Sequence, residues 1–275
     1  MAAPELAQIA GHRLETVWHG PAPQDAPTLV LLHEGLGSIS MWRDFPERLA
    51  AATGCGVLAY SRLGYGRSDP APLPRPLSYM HDEAAETLPR VLDHFGITRC
   101  MLVGHSDGAS IAALYAGGTK DARVAGIVLM APHFIVEEIS VTSIAAAKAA
   151  YERGDLRQRL ARHHGDNVDC AFWGWNEAWL DPAFRDWDIR ACLPDIAVPV
   201  LVMQGEKDES GTLREVAIAQ SRGGGPVRTG ILPAGGHAPH RDREEETVHE
   251  IALFSRDVFR QAGLAGRAGR EHDEG

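Results

Sequence analysis

The chain has 275 residues, 44% of them apolar, with 27 lysines and arginines against 37 aspartates and glutamates. The resulting formal charge of −10 repels phosphate groups, and no basic cluster with interleaved aromatics offsets it, so we expect no nucleic-acid partner. No apolar run approaches the roughly 20 residues that cross a bilayer, and the N-terminus lacks the features of a signal peptide. We therefore expect a cytoplasmic protein without membrane contact. The sequence leaves its oligomeric state open.

Short apolar runs alternate with segments of helical length along the chain. This alternation predicts an α/β fold, with a mostly parallel central sheet and helices on both faces. Helical spacing of apolar residues is found at 81–95 and 244–259. The runs typical of buried strands are 28–32, 57–60, 100–103, 124–130 and 198–203, with 230–232 as an edge strand.

One interval, residues 133–195, breaks the alternation because its patterns are helical throughout. It contains eight of the 18 aromatic residues of the chain. They indicate either a thin helical subdomain that needs bulky side chains, or a lid whose aromatic underside lines a substrate pocket. We therefore divide the chain into an α/β core of residues 1–132 and 196–262, a helical insertion at 133–195, and a disordered tail at 263–275.

The helical insertion carries seven basic against 11 acidic residues, more negative charge per residue than the rest of the chain. This excess disfavours anionic substrates and favours neutral or cationic small molecules. The aromatic candidates for substrate contact are Phe134, Trp173, Trp175 and Trp179.

The cysteines lie far apart in the sequence, without the spacing of a zinc site. We expect reduced thiols that are mostly packed inside the protein, with no metal and no cofactor. The four positions are Cys55, Cys100, Cys170 and Cys192.

The strongest local signal is the sequence VGHSDGAS at 103–110. Gly104 to Gly108 matches the pattern G-x-S-x-G between a predicted strand and a predicted helix, which is the context that the pattern requires. Such a turn strains the backbone of Ser106 and tolerates only small residues at positions 104 and 108. Ser106 is the candidate nucleophile. The backbone amide of Asp107, at the positive end of the helix, is a candidate donor to an oxyanion.

A serine hydroxyl needs a base to become a nucleophile, and the base needs an orienting carboxylate. Asp208 follows the predicted strand at 198–203, and His237 lies in the glycine-rich loop after the next strand. The chain order Ser106, Asp208, His237 differs from the orders of chymotrypsin-type and subtilisin-type proteases. The alternatives are Glu206 and Glu209 for the acid and His240 for the base.

The loop after the first central strand reads HEGLGS, at residues 33–38. Its small residues allow backbone N–H groups to face inward, and we expect the amide of Leu36 to be the second oxyanion donor, with Gly35 or Ser38 as alternatives. The side chains of Glu34 and Asp107 are further candidates for substrate contact.

These motifs resemble those of the α/β-hydrolase superfamily, and the resemblance covers the chain to about residue 262. The sequence YSRLGYGRS at 60–68 is similar to the family's D-x-R-G-x-G-x-S loop, with Ser61 in place of the usual Asp, a change that touches a structural contact. The helical insertion matches the position of the family's cap. The resemblance implies a cofactor-free serine hydrolase that cleaves a carboxylic ester, or else a thioester, lactone or amide, through an acyl-enzyme on Ser106.

Within the superfamily, GHSDG, GEKD and the G-x-H-x-x-H tail are similar to the motifs of valacyclovir hydrolase. That resemblance implies that the carboxylate of Asp107 binds an amino group of the substrate.

Other branches of the superfamily fit less well. Dehalogenases and epoxide hydrolases of this fold need a carboxylate nucleophile, and position 106 is serine. Two alternatives stay open: hydrolysis of a carbon–carbon bond of the aromatic-degradation type on the same triad, and a ligand-binding protein that keeps the triad without catalysis.

Overall fold

A computed structural model describes residues 3–272 of the chain. Eight strands form one central sheet. They are β1 (Glu5–Ile9), β2 (His12–His19), β3 (Thr28–Leu32), β4 (Gly56–Tyr60), β5 (Cys100–His105), β6 (Val124–Met130), β7 (Val200–Gly205) and β8 (Val227–Leu232). Their order across the sheet is β1-β2-β4-β3-β5-β6-β7-β8. β1 pairs antiparallel with β2 and β2 antiparallel with β4, whereas β3 to β8 run parallel.

Helices connect most of the strands. They are α1 (Phe45–Thr53), α2 (Tyr79–Asp82), α3 (Leu88–His94), α4 (Asp107–Thr119), α5 (Glu138–Arg153), α6 (Leu156–His164), α7 (Val168–Leu180), α8 (Leu213–Arg222), α9 (Pro239–Asp242) and α10 (Glu244–His272). A π-helical turn at Glu83–Thr87 joins α2 to α3. The segment predicted as one helix at 81–95 is therefore a helix with a widened turn in its middle.

The predicted α/β fold is confirmed. All six predicted strands are present, with β8 at the edge of the sheet as expected. β3 and β6 have the predicted bounds, whereas β5 continues to His105 and β7 begins two residues late, at Val200.

The antiparallel strands β1 and β2 were not predicted. A buried parallel strand is a continuous apolar run, but β2 contains Glu15 and Thr16, which are both buried. Glu15 is tolerated there because it accepts hydrogen bonds from Ser61 Oγ (2.8 Å) and from the side chain of Arg67 (2.7 Å). Ser61, the departure from the family loop, therefore makes a structural contact to a strand that the apolar pattern did not show.

Successive residues of the central strands pack against opposite faces of the sheet. Val30 and its equivalents on neighbouring strands contact α3 and α4, through residues such as Val91 and Ile111. Leu29 and its equivalents contact α1 and α10, through residues such as Leu49 and Ile251. The sheet is thus covered on both faces, and its carboxyl edge beside α4 is the place where loops from several strands meet.

The helical insertion forms α5, α6 and α7 between β6 and β7. Tyr151 and Phe172 stack with their ring centroids 3.6 Å apart and form a small separate core with Leu160 and Val168. Trp179 instead packs into the main core beside α4. The aromatic residues thus serve two purposes: some fill the insertion, and others join it to the α/β core.

The tail beyond residue 262 was predicted to be disordered. In the structure α10 continues past Gly263 to His272, and residues 273–275 lie outside the described part of the chain. Disorder of this tail stays a prediction. All four cysteines are free thiols, Cys55 and Cys100 buried and the other two half-buried. Among the helices of residues 3–272, none combines the length and the apolar composition needed to span a membrane.

Candidate active site

Ser106 lies in the sharp turn between β5 and α4. Its backbone has φ 53° and ψ −118°, a strained conformation for a residue with a side chain, as the sequence predicted. A Cβ atom at Gly104 would overlap the carbonyl oxygen of Gly108, and one at Gly108 would overlap that of Leu32. The two glycines are therefore required by the close approach of the strand and the helix. The turn holds Ser106 at the N-terminus of α4, with 6% of the residue exposed.

The structure brings Ser106, Asp208 and His237 together, although 131 residues separate the serine from the histidine. His237 Nε2 lies 3.0 Å from Ser106 Oγ, and His237 Nδ1 lies 2.9 Å from Asp208 Oδ2. Because the carboxylate can only accept, Nδ1 is the donor, and Nε2 is left to accept from the serine hydroxyl. This is the arrangement that nucleophilic catalysis by serine needs.

Three donors besides His237 fix the carboxylate of Asp208. Gln204 Nε2 donates to Oδ2 at 2.6 Å, and the backbone N–H groups of Ser210 and Gly211 donate to Oδ1 at 2.7 and 3.0 Å. Burial by itself would raise the pKa of Asp208, but the hydrogen bond and charge of His237 and the bond from the Ser210 N–H outweigh burial and lower it. Asp208 is therefore held as an anion in one orientation.

The pKa of His237 is shifted in the opposite sense. Burial alone would lower it, but the hydrogen bond and the negative charge of Asp208 outweigh burial and raise the pKa above its usual value. Asp208 thus stabilises the protonated form of the His237 ring.

The alternative residues for the acid and the base, Glu206, Glu209 and His240, do not take part in the hydrogen bonds between Asp208, His237 and Ser106. Glu209 accepts a hydrogen bond from the backbone N–H of His237 at 3.3 Å, and Glu206 accepts one from Ala234 N at 3.4 Å. His240 packs its buried ring against Trp42, 4.6 Å between centroids. Neither carboxylate contacts the His237 ring within hydrogen-bond distance, and His240 points into the core.

The loop after β3 lies against the N-terminus of α4. The carbonyl oxygens of Leu32 and His33 are so close to Gly108 that a Cβ atom there would overlap them. Its carbonyl groups are held from outside: Arg62 Nη2 donates to Glu34 O at 2.9 Å, and His164 Nε2 donates to Leu36 O at 3.0 Å. His164 belongs to α6, so the helical insertion holds this loop directly. The amide of Asp107 has no acceptor within its own helix because it is in the first turn. The roles of the Leu36 and Asp107 amides as oxyanion donors stay predictions.

Comparison with known proteins identifies the family of the chain. The sequence model described as Alpha/beta hydrolase family matches residues 29–250. The chain belongs to this family. It is 26% identical over 273 residues to the dihydrolipoyllysine-residue acetyltransferase component of the acetoin cleaving system of Pseudomonas putida, covering 92% of this chain and 70% of that protein. It is 33% identical over 125 residues to epoxide hydrolase B of Mycobacterium tuberculosis, covering 45% of this chain and 33% of that protein.

Among solved structures, proline iminopeptidase from Mycobacterium smegmatis matches with a TM-score of 0.69 and 22% identity, over 94% of this chain and 100% of the other. The fold is therefore that of the α/β-hydrolase family, and the chain is a hydrolase of this family. The likeness of its elbow and tail to valacyclovir hydrolase stays a prediction.

In this α/β hydrolase one oxygen of the Asp107 carboxylate, Oδ2, is engaged, whereas Oδ1 is buried without a hydrogen-bond partner among the described residues. Tyr79 OH donates to Asp107 Oδ2 at 2.5 Å, and Trp179 Nε1 donates in turn to the Tyr79 oxygen at 3.0 Å. Burial raises the pKa of Asp107, and the positive charges of Arg62 and Arg75 and the bond from Tyr79 reduce that rise. The side chain is thus part of a buried network that joins α4 to α2 and to the helical insertion.

The other substrate-contact candidates occupy different environments. Trp175 lies over the loop after β3, since a Cβ at Gly35 would overlap its indole Nε1. Trp173 packs within the insertion, edge-on to Tyr151 and beneath Lys148. Phe134 is fully buried in the main core. Trp175 and Trp179 therefore border the site from the side of the insertion.

Several residues of the site were not found from the sequence. His133 is buried with its ring 5.6 Å from that of His237, and burial lowers its pKa to about 3, so it is neutral. His105 Nε2 lies 2.7 Å from the carbonyl oxygen of His237. The sequence analysis also missed Gln204, which bonds to Asp208, His164, which bonds to Leu36 O, and Tyr79, which bonds to Asp107. The signal that could have identified His105 is its place inside the elbow motif, directly before Ser106.

Proposed function

We propose that this chain is a serine hydrolase that cleaves a carboxylic ester, or a related thioester, lactone or amide, through an acyl-enzyme on Ser106. The observation that carries the proposal is the continuous path from Asp208 through His237 to Ser106, with contacts of 2.9 and 3.0 Å. Serine in the strained elbow supports an acyl-enzyme rather than the chemistry of the family's epoxide hydrolases, which needs a carboxylate at that position.

In the proposed mechanism, His237 Nε2 takes the hydroxyl proton while Ser106 Oγ attacks the acyl carbon. The backbone amides of Asp107 and Leu36 donate to the developing oxyanion, and each contributes roughly 10²- to 10³-fold in rate. Asp208 stabilises the imidazolium, which then protonates the leaving alcohol. The same histidine activates a water molecule that attacks the acyl-enzyme and releases the acid.

We further propose that the helical insertion acts as a cap over the site and that the preferred substrates are neutral esters. Two side chains of the insertion, Trp175 and Trp179, border the site, and His164 bonds to the loop after β3. The negative excess of the insertion disfavours anionic substrates. Burial raises the pKa of Asp107 despite the nearby arginines, and Tyr79 already donates to Oδ2, which favours neutral esters over cationic ones.

The test is hydrolysis of a short-chain p-nitrophenyl ester by the wild type and by Ser106→Ala. Loss of turnover with an unchanged circular dichroism spectrum supports the proposal. Retained turnover in the variant would contradict it.

Two further measurements address the alternatives. Selective turnover of a vinylogous diketone over the aryl ester would assign carbon–carbon bond hydrolysis to the same triad. Labelling of Ser106 by a fluorophosphonate without turnover of any ester in a panel would indicate a ligand-binding protein.

A further inference from the structure

Three catalytic loops meet at one buried imidazole, that of His105. His105 is the last residue of β5, 1% exposed, and its Nε2 lies 2.7 Å from the carbonyl oxygen of His237. Its other nitrogen, Nδ1, lies 3.4 Å from Oε2 of Glu34, in the loop after β3. A single ring thus contacts the loop of the candidate base and the loop of the candidate oxyanion donor, next to the candidate nucleophile.

The partners of His105 determine where its protons are. A carbonyl oxygen can only accept, so Nε2 must carry a proton to donate to His237. If Nδ1 carried none, its lone pair would face the carboxylate oxygen of Glu34, and two acceptors cannot satisfy each other. Nδ1 has no hydrogen-bond partner among the described residues, so its contact with Glu34 is one of charge: a proton on Nδ1 places a positive ring beside the negative carboxylate.

The surroundings of the pair favour a charge on Glu34. Burial by itself would raise the pKa of the Glu34 carboxyl, but its contact with His105 outweighs burial and lowers that pKa well below the usual value. The other titratable rings packed against His105 are those of His240, at 4.9 Å, and His237, at 5.2 Å. Burial lowers the pKa of His240 well below its usual value, so that ring is neutral.

We propose that Glu34 and His105 form an ion pair in the interior of the site. The pair positions His237 through its backbone carbonyl and fixes the position of the triad relative to the loop that carries the Leu36 amide. This inference rests on the proposed function, because positioning has a consequence for rate only if His237 is the base. His105 and Glu34 are positioning residues: they act through His237 and through the loop after β3.

The protonation of His105 is measured without reference to activity. In protein labelled with ¹⁵N-histidine, NMR at pH 7 should show a proton on both ring nitrogens of His105, assigned by its loss in His105→Gln. In Glu34→Gln the Nδ1 proton should disappear while Nε2 keeps its proton. A wild-type spectrum in which Nδ1 carries no proton would overturn the inference.

Steady-state kinetics on the p-nitrophenyl ester test the positioning. His105→Leu should lower kcat about 100-fold with KM within about twofold, because displacing a catalytic group by about 1 Å costs that much. His105→Gln should recover most of the loss, since its side-chain N–H ends near the position of Nε2 and can donate to the His237 carbonyl. Unchanged kcat in His105→Leu would overturn the proposed role.

His240→Leu is the matched control, because it removes a neighbouring buried imidazole that does not contact the His237 carbonyl. Its loss of kcat should be much smaller than that of His105→Leu, and equal losses would reduce the effect to packing and overturn the inference. Ser106→Ala separates the two proposals. If that variant keeps its activity, the proposed function fails, and the NMR result alone decides whether the ion pair exists.

Discussion

Two carboxylate–histidine pairs lie on either side of the loop that carries His237. In one, Asp208 Oδ2 is 2.9 Å from His237 Nδ1, and in the other, Glu34 Oε2 is 3.4 Å from His105 Nδ1. They differ in what the far nitrogen of each ring meets: His237 Nε2 meets a hydroxyl, which can give up a proton, and His105 Nε2 meets a carbonyl, which cannot. The partner of the second nitrogen therefore decides whether such a pair is suited to transfer a proton or to hold a backbone carbonyl in place.

The two carboxylates also differ in how firmly they are held. Asp208 accepts from Gln204 and from the N–H groups of Ser210 and Gly211, in addition to His237. Glu34 is held chiefly by its contact with His105. A pair that transfers a proton needs one histidine tautomer and one fixed ring orientation. A pair that only positions a backbone needs side chains that span the gap and attract each other by charge. We therefore expect substitutions in the two pairs to have effects of very different size.

The largest difference should come from removing the charge of each carboxylate. Asp208→Asn should lower kcat about 10⁴-fold, because asparagine favours the tautomer in which His237 cannot accept from Ser106. Glu34→Gln should lower kcat by no more than about tenfold, since His105 keeps the Nε2 proton that faces the carbonyl. The measurement is kcat on a p-nitrophenyl ester for both variants. Losses of similar size would break the distinction between the pairs.

The position of the Glu34–His105 pair relative to the Asp208–His237 pair depends on how closely α4 packs against the end of β3. Gly108→Ala should push the helix from the loop that carries Glu34, since its Cβ would overlap Leu32 O. We expect a loss of about 1–3 kcal/mol in the free energy of unfolding, and a loss of kcat of roughly 100-fold. Urea unfolding and steady-state kinetics provide the two readouts.

Gly118→Ala, on the same helix, is the control for that change. The space around Gly118 is open, and alanine there should stabilise the protein by about 0.5–1 kcal/mol. Equal stability losses in the two variants would show that the close approach at Gly108 is unimportant.

The support of Asp208 is tested by Gln204→Met. This change removes the 2.6 Å bond to Asp208 Oδ2 and leaves the two backbone donors in place. A hydrogen bond to a charged group contributes about 1.5–3 kcal/mol, so we expect kcat to fall by roughly tenfold or more. Ser210→Ala should have little effect on kcat, because Ser210 donates to Asp208 through its backbone N–H. A larger loss in Ser210→Ala than in Gln204→Met would contradict this view of the site.

The smallest expected effect is on the pH dependence of kcat/KM. His237 must be neutral to accept a proton, and its pKa is raised above the usual value, so activity should fall as the pH drops through that raised pKa. Asp208→Asn should move this acid limb to lower pH, since burial of His237 is then unopposed by the carboxylate. Glu34→Gln should move the limb in the same direction by less, because Glu34 makes a smaller contribution to the raised pKa. A limb that moves to higher pH in either variant would contradict the assigned charges.

The fold class and the order of the candidate triad can be predicted from the sequence. Buried parallel strands are continuous apolar runs, and the elbow is a local pattern of strand, turn and helix, so both can be recognised from neighbouring residues. The strained backbone of Ser106 and the need for Gly104 and Gly108 followed from the same local geometry. Chain order was enough to nominate Asp208 and His237, since parallel strands place their carboxyl ends at one edge of the sheet.

The contacts of individual side chains, in contrast, become visible only in the folded protein. β2 escaped detection because its buried polar residue Glu15 is satisfied by partners about 50 positions away, and β1 because most of its residues are not buried. The sequence nominated Asp107 for substrate contact, and only the structure shows that one oxygen of its carboxylate accepts from Tyr79. The approach of Glu34 to His105 depends on β3 and β5 being neighbours in the sheet, and the approach of His105 to His237 on the path of the loop after β8. Such contacts join segments far apart in the chain, and no local pattern of apolar residues records them.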